Sequence, residues 1–173
     1  MEYKFKTEPY AHQLKALGAS HNKENFALFM EMGTGKSKVL VDNIAMLYDK
    51  GKINAALIVA PKGVYRNWER QEIPIHMPDH IVHNVVTWSP VTTKKQQKEN
   101  LKLFKHGEQL TIFLMNIEAF STKKGLDIAQ RFLLAHQTLM AIDESTTIKS
   151  PTARRTKNVL KLRNYAKYRR ILT

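Results

Sequence analysis

The chain contains no cysteine, which excludes a disulfide framework and any thiolate metal site. That agrees with a reducing compartment, and the expected location is the cytoplasm, or the nucleus of a eukaryote, with no secretion. No apolar run reaches the roughly 18 residues that a membrane-spanning helix needs, and Met1-Glu2-Tyr3-Lys4 lacks the apolar core of a signal peptide. Internal repeats, low-complexity tracts and linker-like stretches are missing too. The 173 residues therefore read as one domain, 1–173, able to bury about two-thirds of its unfolded surface. Acidic residues are the last shortage: 15 Asp and Glu stand against 28 Lys and Arg, a net charge of +13. The excess is clustered, and such a field favours a polyanion, meaning nucleic acid or a phosphorylated surface.

Among only seven glycines, two fall two residues apart in Gly33-Thr34-Gly35-Lys36-Ser37. An apolar run, 26–30, precedes them as a buried strand, and a helical pattern follows through Val39, Leu40, Ile44, Ala45, Leu47 and Tyr48 to a capping Gly51. Strand, glycine turn, Lys-Ser and helix in that order make a phosphate-cradling P-loop. The glycines let successive N–H groups converge on one anion, and the helix N-terminus adds the positive end of its dipole. Lys36 would neutralise the β- and γ-phosphates of ATP, and the Ser37 hydroxyl would enter the shell of Mg2+. Met30 stands where the strict motif has its first glycine. The competing reading is a plain turn with Lys36 and Ser37 as solvated cap residues.

Further strands are expected at 55–60 (stopped by Pro61), 81–87, 110–115, 138–142 and 169–172, with helices at 64–72 (ending before Pro74), 92–105, 126–135 and 153–165. A short helix is expected to start near His12. Continuous apolar strands alternating with helices predict an α/β fold: a parallel sheet covered on both faces, three layers in all, with ligands at the carboxyl ends of the strands. The strand at 138–142 runs straight into Asp143-Glu144. Nucleotide hydrolysis needs such a pair for separate tasks. Asp143 would hold magnesium, largely through water, and Glu144 would orient or deprotonate the attacking water.

Met32-Gly33-Thr34-Gly35-Lys36-Ser37, Ile58-Val59-Ala60-Pro61-Lys62 with Trp68, and Ile142-Asp143-Glu144-Ser145 with Ile148-Lys149 resemble, in this order, the first RecA-like lobe of superfamily 2 helicases. The closer resemblance is to the Swi/Snf-type branch, which implies ATP hydrolysis coupled to movement along double-stranded DNA. Two departures stand out. Ser145-Thr146 replaces the last two residues of the family's Asp-Glu-Ala-His, and Met30 and Ser37 depart from its usual Asp-Glu-Met-Gly-Leu-Gly-Lys-Thr. The resemblance also implies that Gln13, after Pro9-Tyr10, reads the adenine edge, the alternative being an exposed helix-surface glutamine. Met32 and Thr34 would line the nucleotide with the glycines, and Lys62, Arg66 and Asn116 would touch nucleic acid. Trp68 is expected to pack in the core against the sheet.

The densest basic tract is Lys149, Arg154, Arg155, Lys157, Lys161, Arg163, Lys167, Arg169 and Arg170. Arg154, Lys157 and Lys161 share one helical face. Such a stripe suits a phosphate backbone or a docking second lobe. The chain stops at Thr173, where the family approaches its Leu-Thr-Gly-Thr-Pro motif, and no candidate arginine finger follows. A second RecA-like lobe, normally in the same chain, is thus an expected partner, and the 173 residues alone are expected to hydrolyse ATP hardly at all. Two alternatives remain at this level: a strand-separating DNA or RNA helicase, and a non-catalytic nucleotide-binding module on nucleic acid.

Overall fold

The computed structural model describes residues 2–31, 33–143 and 153–173. Met32 and Glu144, with Ser145, Thr146, Ile148 and Lys149, lie outside the described residues. Six strands, β1 (Asn25–Leu28), β2 (Ala55–Ala60), β3 (His83–Thr87), β4 (Leu110–Asn116), β5 (Thr138–Asp143) and β6 (Tyr168–Leu172), form one sheet in the order β1-β6-β5-β2-β4-β3. Every pairing is parallel, so all the carboxyl ends share one edge.

The continuous apolar runs conceal a period of two. In β2, Ala56, Ile58 and Ala60 enter one core while Ala55, Leu57 and Val59 enter another. Successive side chains of a strand point to opposite faces, so a strand covered on both sides must be apolar throughout. The first core packs α1 (Ala11–Ser20), α2 (Lys36–Asp49), α3 (Tyr65–Asn67) and α4 (Ile73–His76) on the sheet. On the other face lie α6 (Lys123–Ala135) and α7 (Arg154–Leu162), with Phe113 against Phe132 edge to face at 5.4 Å between centroids. A further helix, α5 (Lys94–Leu101), buries none of its residues.

The helix expected to stop before Pro74 continues to His76. A π-helical turn, Trp68–Glu72, joins α3 to α4, and the Ile73 N–H reaches back five residues to the Trp68 carbonyl. Pro74 offers no N–H, and the widened turn before it relieves the clash its ring makes with a normal preceding turn. The turn also solves a phase problem. At 3.6 residues per turn, residues five apart lie about 140° from each other around a helix. The π turn brings Trp68 and Ile73 onto the same buried side instead, each 1% exposed.

The terminal segment ahead of α1 lies across α2 and α4 as a strap. Tyr3 donates its hydroxyl to Asp42 Oδ1 at 2.7 Å, Lys6 Nζ donates to the Pro74 carbonyl at 3.0 Å, and Thr7 Oγ1 meets His76 Nδ1 at 2.9 Å. Asp42 also holds Lys38 in a buried ion pair at 2.8 Å. Burial first, and then the bond to Asp42, push the Tyr3 hydroxyl far above its usual pKa.

Candidate nucleotide and nucleic-acid site

The turn after β1 has a backbone that calls for glycine. Gly33 and Gly35 adopt φ of +79° and +81°, a region where a Cβ is strained. Gly35 has a second reason to be glycine: a Cβ there would stand 2.1 Å from Gln13 Nε2. Gly35 is also the N-cap of α2, with no side chain capping the helix and no acidic residue in its first turn. The first N–H groups of α2 thus lack side-chain acceptors, the condition in which a helix N-terminus takes a phosphate. Lys36 and Ser37 are the first two residues of α2, both half-buried.

Gln13 is buried, 5% exposed, so it is not a surface glutamine. Its Oε1 accepts the Tyr10 N–H at 2.9 Å and its Nε2 donates to the Thr34 carbonyl at 3.2 Å. His12 Nε2 reaches the same carbonyl at 2.8 Å, and the exposed Tyr10 ring stacks over His12 at 5.8 Å. The first turn of α1 therefore grips the glycine turn by its backbone. A cavity of about 420 Å³ opens beside it, lined by Thr7, Tyr10, Gln13, Gly35, Lys38 and His76. A larger one, about 840 Å³, lies away from the strand ends between the strap and α1 and α2.

Asp143 sits at the matching level of the sheet. Leu172 of β6 pairs with Leu28 of β1 on one side and with Asp143 on the other, which places Asp143 two strand spacings, about 10 Å, from the end of β1. It has the parity of Leu139 and Ala141, which enter the α2 core, so it points to the face that carries the P-loop helix. There Trp68 donates its indole N–H to Asp143 Oδ2 at 3.0 Å. The core position expected for Trp68 is thus occupied, with a polar contact that packing arguments do not supply. Glu72 lies on the same turn, and burial, followed by the charge of Asp143, pushes its carboxyl above the usual range.

The basic residues divide. Lys62 and Arg66 are exposed on the segment after β2, Arg66 resting over the Tyr65 ring at 5.4 Å. Arg154, Lys157 and Lys161 are exposed along α7. Asn116 is buried, and its Oδ1 accepts the Ala119 N–H at 2.8 Å, capping the 3-10 turn Ile117–Ser121. Arg170 is a correction to the basic tract. It is 1% exposed, since Tyr168, Arg170 and Leu172 alternate on the face toward α2. Its guanidinium donates to Asn43 Oδ1, Ser20 O, Glu24 O and Arg169 O. Burial pushes its pKa down to about 10, so it stays charged at neutral pH.

A parallel α/β sheet with a glycine phosphate turn and a strand-end carboxylate on one edge defines a RecA-like P-loop lobe. The chain belongs to the SNF2-related domain family, whose model matches residues 12–173, and is thereby a domain of the helicase-like ATPase class. Its fold is similar to that of the Sulfolobus solfataricus SWI2/SNF2 ATPase core in complex with dsDNA, with a TM-score of 0.72 at 20% identity over 100% of this chain and 33% of that one. It is similar as well to the UvsW helicase of bacteriophage T4, with a TM-score of 0.65 at 10% identity over 96% of this chain and 52% of that one. A nuclease-deletion mutant of the Type ISP restriction-modification enzyme LlaGI in complex with a DNA substrate mimic gives a TM-score of 0.59 at 14% identity, over 96% of this chain and 17% of that one. The chain thus spans about a third of the length of the Sulfolobus ATPase core. No curated protein sequence matches it.

Proposed function

We propose that residues 1–173 are the first lobe of an ATP-driven translocase on double-stranded DNA, acting with a second RecA-like lobe. The observation that carries the reading is the register of Leu28, Leu172 and Asp143, which puts the glycine turn that follows β1 and the Asp143 carboxylate on one sheet edge. The residues suit ATP: Gly33 and Gly35 hold the left-handed backbone of a phosphate turn, and the open N-terminus of α2 offers N–H donors to phosphate. They suit Mg2+ as well, since Ser37 and Asp143 supply hard oxygen donors and magnesium retains several waters. When bound, the ion would draw charge from the transferring phosphoryl group.

In this reading Lys36 neutralises the phosphate tail, Gln13 turns its amide from Tyr10 and Thr34 toward the adenine edge, and Glu144 deprotonates or orients the attacking water. Glu144→Gln keeps shape and removes the base. It should bind ATP as the unaltered chain does, with turnover in the two-lobe protein lower by roughly 100-fold or more. Normal phosphate release by that variant would assign the base elsewhere.

Lys62, Arg66 and the exposed side of α7 are proposed to meet the DNA backbone. Affinity for a duplex of random sequence should then fall with a log–log salt slope of about −0.9 for each phosphate neutralised, with negligible sequence preference. An interaction indifferent to salt would sink this assignment. Strand separation, the activity named for the phage helicase of similar fold, is decided by a strand-displacement assay run beside DNA-stimulated ATP turnover.

A further inference from the structure

We infer that Trp68 is a positioning residue for the magnesium carboxylate, fixing Asp143 through its indole N–H. This deepens the ATP-site reading above and rests on it. Trp68 and Asp143 are 75 positions apart in sequence, on the π turn and on β5. Both are buried, at 1% and 7% exposure. An indole nitrogen only donates, so the oxygen it meets must act as an acceptor there, and the carboxylate cannot rotate about its Cβ–Cγ bond without breaking the contact. A buried donor left without its acceptor is unfavourable, which resists that rotation.

The π turn is what lets Trp68 be buried on the sheet together with Ile73. In a regular α-helix Trp68 and Ile73 would not both face the sheet, and the π turn that reconciles them begins at Trp68 itself. Ordinary core filling at this position needs a large apolar ring and no donor. What tryptophan adds is one N–H at Asp143 Oδ2. Partners of this kind, one step behind a metal ligand, typically change metal affinity by about 10–100-fold when removed.

The test is Trp68→Phe, which keeps an aromatic ring in the core and removes the donor. Nucleotide affinity measured in chelator, without Mg2+, is expected to stay within about twofold of the unaltered chain. The affinity of the nucleotide-bound chain for Mg2+, titrated calorimetrically, is expected to weaken by about tenfold or more. In an Asp143→Asn background the same substitution should add little, because the carboxylate it positions is gone. A purely structural tryptophan would disturb both affinities alike, or neither.

Equal Mg2+ affinity in the folded Trp68→Phe chain overturns the inference and leaves the ATP-site reading standing. An unaltered chain that binds no nucleotide, with or without Mg2+, overturns the reading and the inference together. If Trp68→Phe does not fold, the unaltered chain decides. It has two tryptophans, so 15N labelling gives two indole signals, and Asp143→Asn identifies the one that moves. That signal should shift again when Mg2+ is added to the nucleotide complex. A Trp68 signal indifferent to both changes overturns the inference.

Discussion

Lys36→Ala is expected to abolish ATP turnover and to weaken nucleotide binding by roughly 100-fold, about 3 kcal/mol from one charge-assisted contact. The reason lies in what surrounds the position. α2 begins at Lys36 without a capping side chain, so the turn supplies N–H dipoles while Lys36 and Lys38 at the start of α2 carry full positive charge. Lys38 cannot take over, because its Nζ is held by Asp42 at 2.8 Å in a buried pair. Breaking such a pair leaves an uncompensated buried carboxylate, typically at about 3–5 kcal/mol. The phosphate charge therefore loses its counter-charge with no substitute within reach. Calorimetric titration of ATP·Mg measures this directly, and an affinity equal to that of the unaltered chain would end the P-loop assignment.

Arg170→Met should lower stability by about 3 kcal/mol, equivalent to roughly 6–12 °C in Tm for a chain of this size. Methionine roughly preserves the volume, so the loss is one of hydrogen bonding. Four donor contacts tie β6 to Asn43 of α2, to Ser20 at the end of α1 and to the backbone at Glu24 and Arg169. The Ser20 carbonyl belongs to the C-terminal turn of α1, where the helix dipole is negative, so the guanidinium also acts as a cap. Part of the loss is offset, since a buried charge with neutral partners carries a desolvation cost that methionine does not. Two of the carbonyls keep other donors, the Lys23 N–H at Ser20 and the Arg169 N–H at Glu24. Thermal unfolding followed by circular dichroism is the measurement. An unchanged midpoint would mean that Arg170 is only space-filling, and Arg170→Lys should fall between the two, because an ammonium cannot reproduce the fork.

The legibility of this chain follows the range of the interactions involved. The parallel sheet was readable because each strand is apolar on both faces, a local property of 55–60, 110–115 and 138–142. The glycine turn was readable because its chemistry is contiguous, from Gly33 to Ser37. Trp68 was placed correctly in the core, yet its bond to Asp143 spans two elements far apart in sequence and left no local trace. The helix end at Pro74 was misjudged because proline normally breaks a helix, and a π turn is invisible in composition. Arg170 was grouped with its basic neighbours as surface charge. A signal existed there: Tyr168 and Leu172 flank it at period two, which turns all three toward the same face of β6. The cap that Asn116 makes on the turn after β4 is local too, and a strand-end asparagine readily makes it.

The π turn imposes a constraint of its own kind on this stretch of chain. Glu69, Arg70 and Gln71 are exposed, and surface positions of that sort usually accept both substitution and small changes of length. Here the two freedoms separate. Any of the three can change identity without touching the core, because none of them packs in it. Removing one would take away the extra residue that seats Trp68 and Ile73 on one side, and the two halves of the segment from Tyr65 to His76 would rotate against each other by about 100°. Either Trp68 would then swing off Asp143, or Ile73 and Met77 would leave their seats beneath the strap. At these three positions the chain is tolerant of spelling and strict about counting.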